Sequence, residues 1–286
     1  MRTAPLLFCA SLDKLWTPTR TGGESRIDLP ATMCAAYNPT FALRNFKIGS
    51  EPLTASMIQA IFFDFNGVII NDEALHLKAY QEVLAAEGMT LSVDEYMTML
   101  GMDDRTFVRT AFERAGKTLN DETMHAVIKR EGAAHFKMIE DELPLSPGVV
   151  TFIKALARHY QLGVVSMSQR AGIDYVLERI RLDGAFTVIV SAEDAPLCKP
   201  DPCCYQRALE LLNEKRREQR RLPLLPQECL VVEDSPPGIQ AGRAAGMRTL
   251  GLTNTVTEEA LRAAGADVVT HSLADWTVDA VHHVFD

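Results

Sequence analysis

The stretch Met57-Ile58-Gln59-Ala60-Ile61-Phe62-Phe63-Asp64-Phe65-Asn66-Gly67-Val68 decides the fold. Residues 57–63 form an almost unbroken apolar run, which is how a strand buried on both faces of a parallel sheet reads. Asp64 ends that run, and Gly67 supplies the conformational freedom for a sharp turn just after it. A carboxylate at the carboxyl end of such a strand stands where open α/β sheets bind their ligands. Asn66 is the anomaly. Asp-x-Asp at this turn would give a nucleophile and a second carboxylate for acid/base work, and this chain carries an amide instead.

Downstream, residues from about 72 to 140 read as helical. Apolar residues recur at intervals of three and four, at Leu75, Ala79, Val83 and Leu84 and later at Phe107, Ala111 and Phe112. Breaks at Gly88-Met89-Thr90, Gly101-Met102-Asp103 and Gly116-Lys117-Thr118 divide the block into several helices, and Ser146-Pro147-Gly148 closes it. Strands and helices then alternate. Helix 149–160 leads to strand 162–166, helix 172–180, strand 186–191, helix 202–212, strand 230–233, helix 238–245 and strand 247–252. Repeated βα units imply a parallel sheet with right-handed crossovers. The fold class expected is α/β, a Rossmann-like parallel core of residues 57–71 and 147–286 with an inserted all-helical cap of residues 72–146. Glu214–Arg221 reads as a solvated helix end.

Residues 1–56 have no sustained periodicity and carry six basic against four acidic residues. They read as a disordered extension or the product of an upstream start, with Met57 opening the folded part. The apolar stretch Ala4–Leu12 is only a faint likeness of a signal peptide. Across the 286 residues the net charge is −9, which argues against nucleic acid or an anionic membrane as partner. No apolar run reaches the 18 residues of a membrane span. The six cysteines show no metal-ligand spacing, and adjacent Cys203 and Cys204 point to reduced thiols and a cytoplasmic protein.

Four strand ends carry polar residues able to converge. These are Asp64; Ser166 with Ser168 close behind; Lys199 before Pro200; and Glu233-Asp234 ahead of Ser235-Pro236-Pro237-Gly238. Their chemistry suits phosphoryl transfer. Asp64 and Asp234 offer hard oxygens to Mg²⁺, and a hydroxyl and an ammonium can cradle phosphoryl oxygens. The spacing of Gly238, Gly242 and Gly246 is not that of a dinucleotide site.

The order Asp-x-x-Gly-Val, Ser-x-Ser, Lys-Pro, Glu-Asp-Ser-x-x-Gly resembles the haloacid dehalogenase superfamily of hydrolases. The helical insertion after the first motif is similar to the branch of β-phosphoglucomutase and phosphoglycolate phosphatase. The likeness covers roughly residues 58–275. It implies a Mg²⁺-dependent phosphatase acting on a small phosphorylated metabolite, as a monomer or small homo-oligomer. Asp64 would be the nucleophile that forms an aspartyl-phosphate, with Ser166 and Lys199 binding phosphate. Asp234 would ligate the metal together with Asp64 and the backbone carbonyl of Asn66, with Glu233 beside them. Gly67 and Ser168 would border the substrate. His76 matches a histidine near the hinge of that branch, and is either a substrate contact or a packed helix residue. Arg105 is either an ordinary residue at a helix start or a reader of the substrate's distal group. Asn66 departs from the family's phosphatases and mutases, which carry the acid/base aspartate there. An amide neither gives a proton to a leaving oxygen nor activates water, and losing a general acid/base costs about 10²–10⁴-fold. Slow hydrolysis is the first expectation; a sugar-phosphate mutase and a low-turnover phospho-ligand binder are the alternatives.

Overall fold

The computed structural model describes residues 57–141 and 143–286, so the extension expected over residues 1–56 lies outside the described residues. Six strands, β1 (Ala60–Phe63), β2 (Gln161–Val165), β3 (Val188–Val190), β4 (Cys229–Glu233), β5 (Arg248–Leu252) and β6 (Val268–Thr270), form one sheet. Its order is β3-β2-β1-β4-β5-β6, and every pairing is parallel. The order reverses at β1, which lies between β2 and β4, and the crevice at such a switch point is where open sheets bind ligands.

The apolar run around β1 is explained by burial on both faces. Ile61 and Phe63 pack into one hydrophobic cluster with Leu162, Val164, Leu230 and Val232. Ala60 and Phe62 face the opposite cluster with Val165, Val190 and Val231. This is the two-residue alternation of a strand carried through a sheet covered on both sides. The first face is covered by α5 (Val149–Leu156), α6 (Arg170–Arg179) and α10 (Val278–Phe285); the second by α7 (Cys203–Glu218) and α8 (Pro236–Ala244). Helix α7 outruns the expected end at residue 212. The run Glu214–Glu218 is rich in good helix formers, and Lys215, Arg216 and Arg217 occupy its last turn, where cations complement the helix C-terminus. The strand and helices after Leu252, β6, α9 (Glu258–Ala264) and α10, extend the expected pattern; α9 and α10 begin at threonine caps, Thr257 and Thr277.

The segment between β1 and α5 is helical, comprising α1 (Glu73–Ala86), α2 (Val93–Met97), α3 (Asp104–Arg114) and α4 (Asp121–Asp141). It has its own hydrophobic cluster, including Tyr80, Leu84, Tyr96, Met99, Phe107, Phe112 and Val127. The chain enters and leaves it through paired segments: Ile70 bridges Leu145, and Asn71 N donates to Pro144 O at 2.6 Å. Among the described residues no helix is long and apolar enough to cross a membrane.

Candidate active site

Asp64 follows β1 directly, and its backbone N–H continues the sheet ladder to Val232 O at 2.9 Å. Its Oδ1 accepts from the N–H of Phe65 at 2.7 Å and lies 3.0 Å from Lys199 Nζ. Lys199 Nζ also donates to Glu233 Oε1 at 2.6 Å and to Val165 O at 3.3 Å, so the ammonium is clamped beside Asp64. Burial opposes the Lys199 charge, but the carboxylates of Asp64 and Glu233 outweigh it and hold the lysine above its ordinary pKa.

Asp234 follows β4, one strand over, and its Oδ2 accepts from Thr255 Oγ1. Ligand oxygens of Asp64, Glu233 and Asp234 lie within 4.8 Å of one another, and all three residues are buried. Burial, and then the Glu233 charge, push the Asp64 carboxyl well above its ordinary value against the opposing pull of Lys199. Burial, and then Asp64 and Glu233, do the same to Asp234. Three carboxylates against one ammonium make a hard-oxygen, net-negative cluster that fits a divalent cation. Glu233 differs from its neighbours. Its oxygens accept from Lys199, from Tyr205 O–H at 2.6 Å and from Ser235 O–H at 3.1 Å, and its side chain is fully buried. A Cβ added at Gly238 would sit 2.0 Å from its carboxyl carbon, which explains the glycine there.

Gly67 has a second reason to be glycine. Its φ is +71°, and an added Cβ would lie 1.7 Å from Asp234 Oδ2. Gly67→Ala is expected to lose about 1–3 kcal/mol from backbone strain alone. It must also displace Asp234, so thermal unfolding and titration with divalent cations should both register it.

Asn66 is held by a cluster that the sequence reading did not assemble. Its Nδ2 donates to both oxygens of Asp72, each at 3.0 Å, and lies 3.1 Å from His76 Nε2. Its Oδ1 accepts from Ser168 Oγ, with Ser166 Oγ at 3.4 Å. His76 Nδ1 is 2.9 Å from Glu131 Oε1, and His135 Nε2 is 3.0 Å from Asp72 Oδ2, with the two imidazoles stacked at 3.7 Å. Burial alone would raise the Asp72 carboxyl, yet hydrogen bonds from His135 and His76 hold it well below its ordinary value. Burial opposes the His76 charge in turn, but Asp72 and Glu131 keep its pKa well above the ordinary value.

Asp72→Asn is therefore expected to destabilise the fold by about 3–5 kcal/mol, as removal of one partner from a buried ion pair does. The sign of the pH dependence follows from the two shifts. The Asp72 contribution is present above its ordinary value of 3.8 and is lost as pH falls through its lowered folded value. The His76 contribution is present below 6.5 and is lost as pH rises through its raised folded value. Denaturant unfolding across pH should find the gap between wild type and variant widest between 3.8 and 6.5.

Seven expected site residues, Asp64, Asn66, His76, Ser166, Ser168, Lys199 and Asp234, line one cavity of about 80 Å³. Gly67 does not line it and packs behind Asp234. Arg105 does not line it. The first turn of α3 carries the Arg105 side chain outward, where Nη2 lies 2.9 Å from His125 Nε2, and the inward position belongs to Asp104. The helical segment is closed down on the sheet edge. Asp104 Oδ2 accepts from Gln169 Nε2 at 3.0 Å, and Asp103 Oδ2 accepts from Cys198 S–H at 2.7 Å.

Comparison with known proteins agrees with this architecture. Residues 58–246 match the family model of the haloacid dehalogenase-like hydrolases. A phosphorylated carbohydrates phosphatase of Thermotoga maritima is 27% identical over 73% of this chain and 92% of its own length. Hexitol phosphatase B of Escherichia coli is 29% identical over 78% of this chain and 96% of its own. Among solved structures, β-phosphoglucomutase of Clostridium difficile superposes with a TM-score of 0.70 at 20% identity, covering 80% of this chain and 97% of that one. That likeness speaks for the fold alone. With the strand order, the motif series and the family match in agreement, the chain belongs to the haloacid dehalogenase-like hydrolases.

Proposed function

We propose that the protein is a slow phosphatase of small phosphorylated metabolites, phosphorylated carbohydrates among them, that works through an aspartyl-phosphate on Asp64. The observation that carries this reading is the clamp on Asp64. Lys199 and the Phe65 N–H hold Oδ1, which leaves Oδ2 free to attack phosphorus. In the first step Oδ2 bonds to phosphorus as the ester P–O bond breaks, and the leaving alkoxide takes a proton from water. In the second, water attacks the acyl-phosphate, releasing phosphate and regenerating Asp64. Ser166 and Lys199 bind the phosphoryl oxygens, and Glu233 keeps Lys199 charged and in place. Mg²⁺ would be held by Asp64, Asp234 and the Asn66 backbone carbonyl, where it would offset the phosphate charge. Residues 72–146 act as a cap that excludes water from the closed site.

Asn66 makes both steps slow, because each needs a proton moved and the amide moves none. That observation also favours a second reading, a binder that holds a phosphorylated ligand with little turnover. A mutase is the weaker alternative, since it needs the same proton transfers in both half-reactions. Phosphate release from a panel of small phosphate esters, with Mg²⁺ and after chelation, tests the proposal. The expected result is slow release that chelation stops and Mg²⁺ restores. Ligand binding without any release would establish the binder instead.

A further inference from the structure

The side of the cavity formed by the helical segment has an unusual charge balance. Glu73 and Asp104 both line it, as do the rings of Tyr80, Tyr96 and Phe107. Asp104 accepts from Tyr80 O–H at 2.9 Å and from the Gln169 amide, and Glu73 accepts from Tyr96 O–H at 2.5 Å. These donors are neutral, and among the described residues neither carboxylate has an ion-pair partner. Burial holds both carboxyls above their ordinary values, against the pull of the His76 charge and of their neutral hydrogen-bond donors. Among the described residues Lys199 is the one lysine or arginine lining the cavity, and it is already committed to Asp64 and Glu233. His76 is matched by Asp72 and Glu131. Arg105, the cation nearest in sequence, faces His125 on the outside.

A second phosphate or a carboxylate on the substrate would therefore meet two acidic groups, with no uncommitted lysine or arginine among the described residues that line this cavity. Like charges so placed are strongly repelled. A cation finds the opposite: two anionic oxygen groups, which its own charge helps to keep ionised, beside an aromatic cluster. Tyr80 stacks on Phe107 at 4.0 Å and Tyr96 tilts against Phe107 at 5.7 Å, and ring faces attract an ammonium. The cavity, about 80 Å³, is well below the roughly 300 Å³ at which pockets for larger ligands begin. We infer that the alcohol portion of the substrate is a small amine-bearing alcohol whose ammonium sits against Glu73 and Asp104, and that a second anionic group is excluded. The inference rests on the phosphatase reading for the phosphate end of the site and adds the identity of the other end.

Calorimetric binding to the full chain with Mg²⁺ tests it, using three probes of similar size. These are O-phosphoethanolamine, which carries an ammonium, glycerol 3-phosphate, which carries hydroxyls, and 2-phosphoglycolate, which carries a carboxylate. The expected order of affinity is as given, with at least about tenfold between the first and the last. Asp104→Asn is expected to narrow that ratio while glycerol 3-phosphate still binds, which shows that the variant is folded. Equal or tighter binding of 2-phosphoglycolate, no binding of O-phosphoethanolamine, or a ratio that Asp104→Asn leaves unchanged would overturn the inference. Turnover separates the two claims. The expected affinity order without phosphate release upholds this inference and removes the phosphatase reading. Hydrolysis of all three esters with no preference in affinity does the reverse.

Discussion

Exchanging two side chains, Asn66→Asp together with Asp72→Asn, is expected to raise phosphate release by about 10²–10⁴-fold, the range a positioned general acid/base contributes. The exchange is needed because of what the amide touches. Asn66 Nδ2 donates to both oxygens of a buried carboxylate at 3.0 Å. Asn66→Asp alone would set two carboxylates face to face at that distance, where they cannot both ionise and come to share a proton. The single variant should gain less activity and lose stability. In the double variant the amide introduced at position 72 donates to the carboxylate introduced at position 66, and the anion needed by His76 and His135 stays within the cluster. Each single change should destabilise the fold while the pair recovers most of the loss, so the two residues should show strong coupling in a double-mutant cycle. Denaturant unfolding and phosphate release, read on the same four proteins, check both halves. An Asp72→Asn background that gives Asn66→Asp no extra activity would show that the amide is not what limits turnover.

The second large effect is at Asp64. Asp64→Asn should reduce phosphate release to background, because the variant has no nucleophile to form the covalent intermediate. It should do so without unfolding the protein. Asp64 belongs to a group of three buried carboxylates, where burial and then the Glu233 charge raise its own carboxyl, and the substitution removes one of those charges. Lys199 loses a contact at 3.0 Å but keeps Glu233 at 2.6 Å. The melting temperature is therefore expected to hold or rise as activity disappears, the usual trade between function and stability at a charged site. A variant that melts far below wild type would mean that Asp64 is chiefly structural.

Much of this site is legible in the sequence because it is built from strand ends. Once 57–63 reads as a buried parallel strand, the residue after it must stand at the sheet edge. The same logic brings Ser166 and Asp234 to that edge from positions a hundred or more residues away, whereas Lys199 comes from the connection between β3 and α7. What was not legible depends on helix phase and on contacts across the helical segment. Asp72 read only as the start of a helical block, although its spacing of four from His76 was a usable signal. Glu131 and His135 complete the cluster from α4, and nothing local in sequence connects them to residue 66. In the run Asp103-Asp104-Arg105, the residue that faces the cavity is fixed by how α3 begins, with Asp103 as its cap. That geometry turns Asp104 inward and Arg105 outward, the opposite of an anion-reading arginine. Glu233 stood beside Asp234 as a candidate ligand, and its use in holding Lys199 follows from Tyr205, which only the packing of α7 brings near, together with Ser235 two residues along the chain.

The central claim is that Asp64 is phosphorylated during turnover, and tandem mass spectrometry of the wild-type protein, quenched in acid while hydrolysing a small phosphate ester, tests it most directly. The account predicts one phosphoryl group on the peptide that contains Asp64, present in a sizeable fraction of the chains because Asn66 slows its hydrolysis. Active turnover with no phosphoryl group on that peptide, or with the group on another residue, would contradict it.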